Sequence, residues 1–182
     1  MVFLRSATSL PRVVWQTILI GLGVGLLGGC VTPARLVPLP FDPGGRSLNS
    51  QFADQSPHIA GRYLVLVSDR RGSQDIYLYD LTAQRLVDLP GLNSLDMIAS
   101  HPSISEDGRF IVFAGIRQGV SGIYLYNRDT RQLRNLTATL RAAVRNPSVS
   151  ADGKWVAFES SANGQWDIVV YNRASGQPLT PP

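Results

Sequence analysis

Cysteine is almost absent: Cys30 is the only one in 182 residues. A lone thiol closes no internal disulfide and leaves no cysteine pair to hold zinc. The fold must therefore rest on packing. Histidine occurs only at His58 and His101, and charged residues make up 16% of the chain. With 44% hydrophobic residues, the composition is that of a globular chain with a sizeable core. The formal charge is only +4, and half of it comes from Arg5 and Arg12. The other arginines are scattered through turn-like segments, so nothing marks a nucleic-acid surface and none is expected as a partner. Gly-x-Ser-x-Gly and phosphate-cradling glycine motifs are also missing. No enzyme, cofactor or metal is expected.

What is present divides into a leader, a linker and repeats. Arg5 and Arg12 give residues 1–29 a basic start without acidic residues. Val13 to Leu27 follows, an apolar stretch broken only by Gln16 and Thr17. About 15 residues suit an export signal and fall short of the roughly 20 that span a membrane untilted. The stretch ends in Leu27-Gly28-Gly29-Cys30. These residues resemble a bacterial lipobox, which implies cleavage before Cys30 and lipidation of its thiol. The alternative is an uncleaved anchor helix that ends in cysteine. Either way the expected location is the cell envelope, on the periplasmic side, tethered to the inner or the outer membrane. Residues 30–55 read as a tether, since Pro33, Pro38, Pro40 and Pro43 with Gly44 and Gly45 block helix and central strand.

Residues 56–182 contain three copies of a unit of about 45 residues, at about 56–98, 99–143 and 144–182. Gly61, Gly108 and Gly153 stand 47 and 45 residues apart, and Tyr79, Tyr126 and Tyr171 keep both spacings. The glycines Gly72, Gly119 and Gly164 keep them too. Asp107-Gly108 and Asp152-Gly153 are hairpin signals, because glycine enters positive φ without steric cost. In each unit the expected first strand is a short segment such as Pro-Ser-Ile-Ser. The second, Arg62–Ser68, Arg109–Ala114 or Lys154–Ser160, is so continuously apolar that burial on both faces is expected. The third is Asp75–Asp80, Gly122–Asn127 or Asp167–Asn172. The fourth lies near Leu86–Leu89, Leu133–Leu136 and Leu179. Four short antiparallel strands make a propeller blade.

The repeats resemble the TolB-type six-bladed propeller repeat. The matches are Pro102, Ser105, Asp107-Gly108 and Arg109; Pro147, Ser150, Asp152-Gly153 and Lys154; Ser68 to Gly72; Ile76-Tyr77 with Asp80; Ile123-Tyr124; and Leu136-Thr137. The resemblance implies an all-β fold of three four-stranded antiparallel blades, half of a six-bladed ring, behind a signal and lipid-anchor segment. TolB proper has an α/β domain before its propeller and six blades. Its role is therefore not implied.

Three blades leave the faces of the first and third without a neighbour. A second copy completing a six-bladed ring, another envelope protein, or the chain's own linker and tail could cover them. The expected function is a membrane-anchored, non-catalytic protein-interaction scaffold. The alternative is a module that binds glycan or a small solute at the ring centre. His58 and His101 read as equivalent inner-strand positions, or else as a metal pair or base. Asp107 and Asp152 read as turn residues, or else as ion ligands. Tyr77, Tyr79, Tyr124, Tyr126 and Tyr171 read as packing, or else as an aromatic carbohydrate platform.

Overall fold

The computed structural model describes Asp42 and residues 44–178. The expected leader, Leu27, Gly28, Gly29, Cys30 and Leu179 lie outside the described residues. All regular structure among the described residues is β, and none of their helices is long and apolar enough to cross a membrane.

Twelve strands form three four-stranded antiparallel meanders. Blade 1 holds β1 (Asp54–Ala60), β2 (Tyr63–Ser68), β3 (Asp75–Asp80) and β4 (Arg85–Val87). Blade 2 holds β5 (Met97–Ile104), β6 (Phe110–Arg117), β7 (Val120–Asn127) and β8 (Gln132–Asn135). Blade 3 holds β9 (Val144–Val149), β10 (Trp155–Ser160), β11 (Asp167–Asn172) and β12 (Gln177–Pro178). Sequential hairpins explain the consecutive strand order in every sheet.

The first strands are longer than the Pro-Ser-Ile-Ser segments suggest. Each runs through its proline on a bulge, with register shifts between Gln55 and His58, between Ser100 and Ser103, and opposite Ala157–Glu159. The residue before each proline takes positive φ: 50° at Ser56, 48° at His101 and 49° at Asn146. Proline cannot donate to a ladder, so a bulge is how a strand passes it. The repeat boundaries move accordingly: blade 1 begins at Asp54 and blade 2 at Met97, each two residues before its expected limit.

Blades are joined through their faces. Val65, Val67, Ile76 and Leu78 of blade 1 share a buried core with Ile104, Ile111, Phe113, Tyr124 and Tyr126 of blade 2. Phe113 and Tyr124 stack within it, with ring centroids 5.6 Å apart. Phe110, Val112, Ala114, Ile123 and Leu125, on the other face of blade 2, join Val149, Val156, Phe158, Val169 and Tyr171 of blade 3. Because successive strand residues alternate faces, a central blade needs apolar residues throughout. The buried β2 and the almost wholly buried β6 follow that rule. The expectation for Lys154–Ser160 does not hold: β10 is buried on one face only, because no blade follows it among the described residues.

The tether expectation also changes near its end. Leu48 is buried with Leu64, Leu66 and Tyr79 on the free face of blade 1. Arg70 holds this lead-in by donating to the carbonyls of Gly45 (3.0 Å), Ser47 (2.7 Å) and Leu48 (2.5 Å). A segment fixed by a distant side chain shows no periodicity of its own, so it reads as linker.

Candidate functional site

Asp107 and Asp152 are occupied by their own turns. Ser105 Oγ lies 2.6 Å from Asp107 Oδ1, which also accepts the Arg109 amide at 2.9 Å, and the Phe110 amide donates to Ser105 Oγ at 3.0 Å. Ser150, Asp152, Lys154 and Trp155 repeat the arrangement. Hydrogen bonds from Ser150 and the Lys154 amide hold the Asp152 carboxyl down at about 2. Among the described residues no group of three or more acidic, histidine or cysteine side chains stands together as a metal site.

Two kinds of turn glycine emerge. Gly72, Gly119 and Gly164 sit at positive φ in open turns between second and third strands, with nothing near the place of an added methyl group. Gly108 and Gly153 lie in the seams. A methyl group on Gly108 would be 2.3 Å from the Tyr63 ring, and one on Gly153 would be 2.4 Å from the Phe110 ring. Each seam therefore seats the first aromatic of one blade's second strand on the Asp-Gly turn of the next. An arginine completes the seat. Arg128 lies 4.8 Å from the Tyr63 ring centroid and donates to the Gly108 carbonyl at 2.7 Å. Arg173 lies 4.0 Å from the Phe110 centroid and donates to the Gly153 carbonyl at 2.6 Å. Arg128 and Arg62 also hold the Tyr63 phenol below the usual tyrosine range.

The histidines are not equivalent. His101 shares its place before a proline with Ser56 and Asn146, whereas His58 shares the place after it with Ser103 and Ser148. His58 Nδ1 accepts the Ile104 amide across the first seam at 3.3 Å, and Ser103 Oγ accepts the Val149 amide across the second at 3.2 Å. Burial lowers the His58 pKa and favours the neutral ring that this bond requires. These bulges line a shallow groove of about 380 Å³ along the inner strands. Tyr79, Tyr124, Tyr126 and Tyr171 are buried in the blade cores and offer no carbohydrate platform, Tyr126 donating to the Pro90 carbonyl at 2.8 Å, whereas Tyr77 is half-buried with Arg70 5.0 Å and Arg71 5.9 Å from its ring centroid.

The outer face of blade 3 is different. Trp155, Ala157 and Glu159 of β10 stand on one face with their partners in β11, where Ile168 opposes Glu159. Ile168 is 62% exposed, and Trp155 and Trp166 are also exposed. Beside them Arg145 bonds Glu159 at 2.6 Å and stacks on Trp166 at 3.9 Å. At the matching places blade 1 carries Tyr63, Val65, Val67 and Ile76, and blade 2 carries Phe110, Val112, Ala114 and Ile123, all buried under the following blade. The three repeats already imply an open end face on the third blade. Trp166 precedes β11 in a turn and gives no strand signal in the sequence.

No protein-family model matches the chain, and no curated protein matches it. Solved structures do. TolB from Acinetobacter baumannii is 25% identical with a TM-score of 0.59, the match covering 72% of this chain and 32% of that one. A putative TolB from Agrobacterium tumefaciens is 25% identical with a TM-score of 0.52, covering 66% and 43%. The β-propeller domain of the Trilobed protease from Pyrococcus furiosus, at 16% identity and a TM-score of 0.54, covers 71% and 42% and shows the fold alone. The chain thus spans about a third to under a half of these proteins. Meander sheets, shared seams and these likenesses agree: the described strands are three blades of a TolB-like β-propeller.

Proposed function

We propose that the protein is an envelope lipoprotein, cut before Cys30 and held there by lipid, whose propeller blades bind protein without catalysis. The observation that carries this reading is the outer face of blade 3. Its Trp155, Ala157 and Ile168 continue the apolar series that the other blades bury, yet Trp155 and Ile168 are exposed, as is Trp166. Exposed aromatic and aliphatic residues grouped on one sheet face favour a protein partner over a small solute. The inner-strand groove, where His58, His101 and Asn146 stand among the prolines and serines, supports the runner-up, a solute at the ring centre.

The anchor and the face are tested together. A photo-crosslinking amino acid at Ile168 in the membrane-bound chain should form a protein adduct, while the same group at Gln84, an exposed residue of the turn between β3 and β4, should not. Cys30→Ser should move the chain from the membrane fraction to the soluble fraction. Absence of any protein adduct at Ile168 would remove the binding reading, and undiminished membrane retention of Cys30→Ser would remove the lipid anchor.

A further inference from the structure

We infer that the tip of the β6–β7 hairpin in blade 2 sits in the lipid surface of the membrane that holds the chain, a second and apolar contact besides the anchor. This rests on the reading that lipid at Cys30 tethers the protein, and it adds a membrane site within the folded blades.

The three repeats isolate this tip. Ile98, Ile116 and Val120 of blade 2 stand where blade 1 carries Ala53, Asp69 and Ser73, and where blade 3 carries Ala143, Ser161 and Gln165. The other blades keep these places small or polar, whereas blade 2 makes all three branched and apolar. Blade 2 also pairs further. Its β6 and β7 stay paired out to Arg117 and Val120, and β5 follows them to Met97, while β2 and β10 end at Ser68 and Ser160. The result is a paired apolar projection in place of a polar turn. Ile98 is 54% exposed, Ile116 47% and Val120 69%, and Leu95, just before β5, is 93% exposed. Blade 2 has a neighbour on each side, so no absent blade accounts for this exposure.

The arrangement suits lipid better than a protein. Ile98 and Ile116 oppose each other directly across β5 and β6, on the face that Ala114 turns to blade 3. Val120 opposes Arg117 on the other face, the one that Phe113 and Tyr124 turn to blade 1. A hairpin tip that is apolar on both faces is matched by a medium that surrounds it, not by one flat partner surface. Charge at the tip is closed on itself. Arg117 meets Asp96 at 3.0 Å and donates to Ser94 Oγ at 3.2 Å, so no lone charge opposes burial. The tether arrives on the same rim. Arg70, which holds the lead-in through the carbonyls of Gly45, Ser47 and Leu48, has in blade 1 the place of Arg117 in blade 2. Gly45 follows Cys30 by 15 residues, a reach of at most about 50 Å. The chain is thus joined to its membrane through the rim that carries the tip. A few aliphatic side chains bury too little area to hold the chain alone, in keeping with the expected release of Cys30→Ser.

The test uses the full chain in vesicles of phosphatidylethanolamine and phosphatidylglycerol, with a polarity-sensitive fluorophore on Val120→Cys, Ile98→Cys or Thr130→Cys. Thr130 is exposed in the β7–β8 turn, at the opposite rim. All three positions lie outside the blade cores, and unchanged circular dichroism verifies each labelled chain. Doxyl-labelled phospholipid should extinguish most of the emission from Val120 and Ile98, while iodide in the water should have little effect on them. At Thr130 the two quenchers should act the other way round. Iodide quenching of Val120 as strong as that of Thr130 would leave the tip in water and overturn the proposal. Shielding of Val120 from both quenchers would mean that protein covers the tip, and would overturn it as well. Equal lipid quenching at Val120 and Thr130 would mean that the chain lies on the membrane without using the tip, a third contradicting result. Fluorophore taken up by the unsubstituted chain would mark Cys30 as a free thiol and remove the lipid anchor alone. The difference between Val120→Cys and that chain would then still decide the tip.

Discussion

Replacing Arg70 by Met should cost the fold about 3–5 kcal/mol, the range for breaking a buried ion pair from one side. The Arg70 side chain is 4% exposed and meets Asp54 at 2.7 Å. Its loss strands the carboxylate and three lead-in carbonyls at once, and releases Leu48 from the free face of blade 1. Urea unfolding followed by circular dichroism measures the effect. Asp54→Ala with Arg70→Met should be less damaging than the sum of the two single changes, because the stranded charge is gone. The pH dependence has a definite sign. Burial alone would raise the Asp54 carboxyl, but hydrogen bonds from Arg70, Ser68 and Ser50 and the Arg70 charge outweigh it and hold the group below 3.8. A carboxyl depressed in the folded state contributes stability above its unfolded pKa and loses it as pH falls through the folded one. The native chain should therefore weaken below about pH 3.8 more steeply than Arg70→Met, whose Asp54 has lost its partner. Equal slopes would mean that the pair is not formed.

Gly108→Ala should cost about 3 kcal/mol, and Gly119→Ala only about 1 kcal/mol. Both glycines have positive φ, 69° and 77°, so both substitutions meet the penalty of about 1–2 kcal/mol for an L-residue there. Only Gly108 carries a second cost. The added methyl group would lie 2.3 Å from the Tyr63 ring and 2.9 Å from Arg128 Nη1. That ring cannot swing away, since Arg62 and Arg128 both lie against it. Overpacking of this sort adds about 1–3 kcal/mol. Gly153→Ala should resemble Gly108→Ala, because the Phe110 ring occupies the same place. Gly72→Ala and Gly164→Ala should resemble Gly119→Ala. Equal losses across all five would show that the aromatics do not seat on these turns.

The strands were legible because punctuation and period agree. Asp107-Gly108 and Asp152-Gly153 mark hairpins, and the third strands of blades 1 and 3 begin and end where the sequence places them, at Asp75–Asp80 and Asp167–Asn172. The bulges were not legible. A proline inside a strand reads as its beginning, and the residues before Pro102, Met97 to His101, look like connection until they are paired with β6. The role of Leu48 was hidden for a different reason: its place is fixed by Arg70, 22 residues away, and no local pattern encodes that bond. The difference of most consequence concerns β10. Trp155-Val156-Ala157-Phe158 has the composition of a strand covered on both sides, and the structure covers one. Local composition there reports a neighbour that the described residues do not supply. The equivalence of His58 and His101 failed because both adjoin a proline but on opposite sides of it, so one bonds across a seam and the other precedes the bulge turn.

The most direct test of this account is photo-crosslinking from Ile168 in the membrane-bound chain, read as the mass of any adduct. The account predicts a protein adduct from Ile168, lost when Trp155→Glu is added, an exposed change that leaves the blade cores intact. No protein adduct at Ile168 would contradict it.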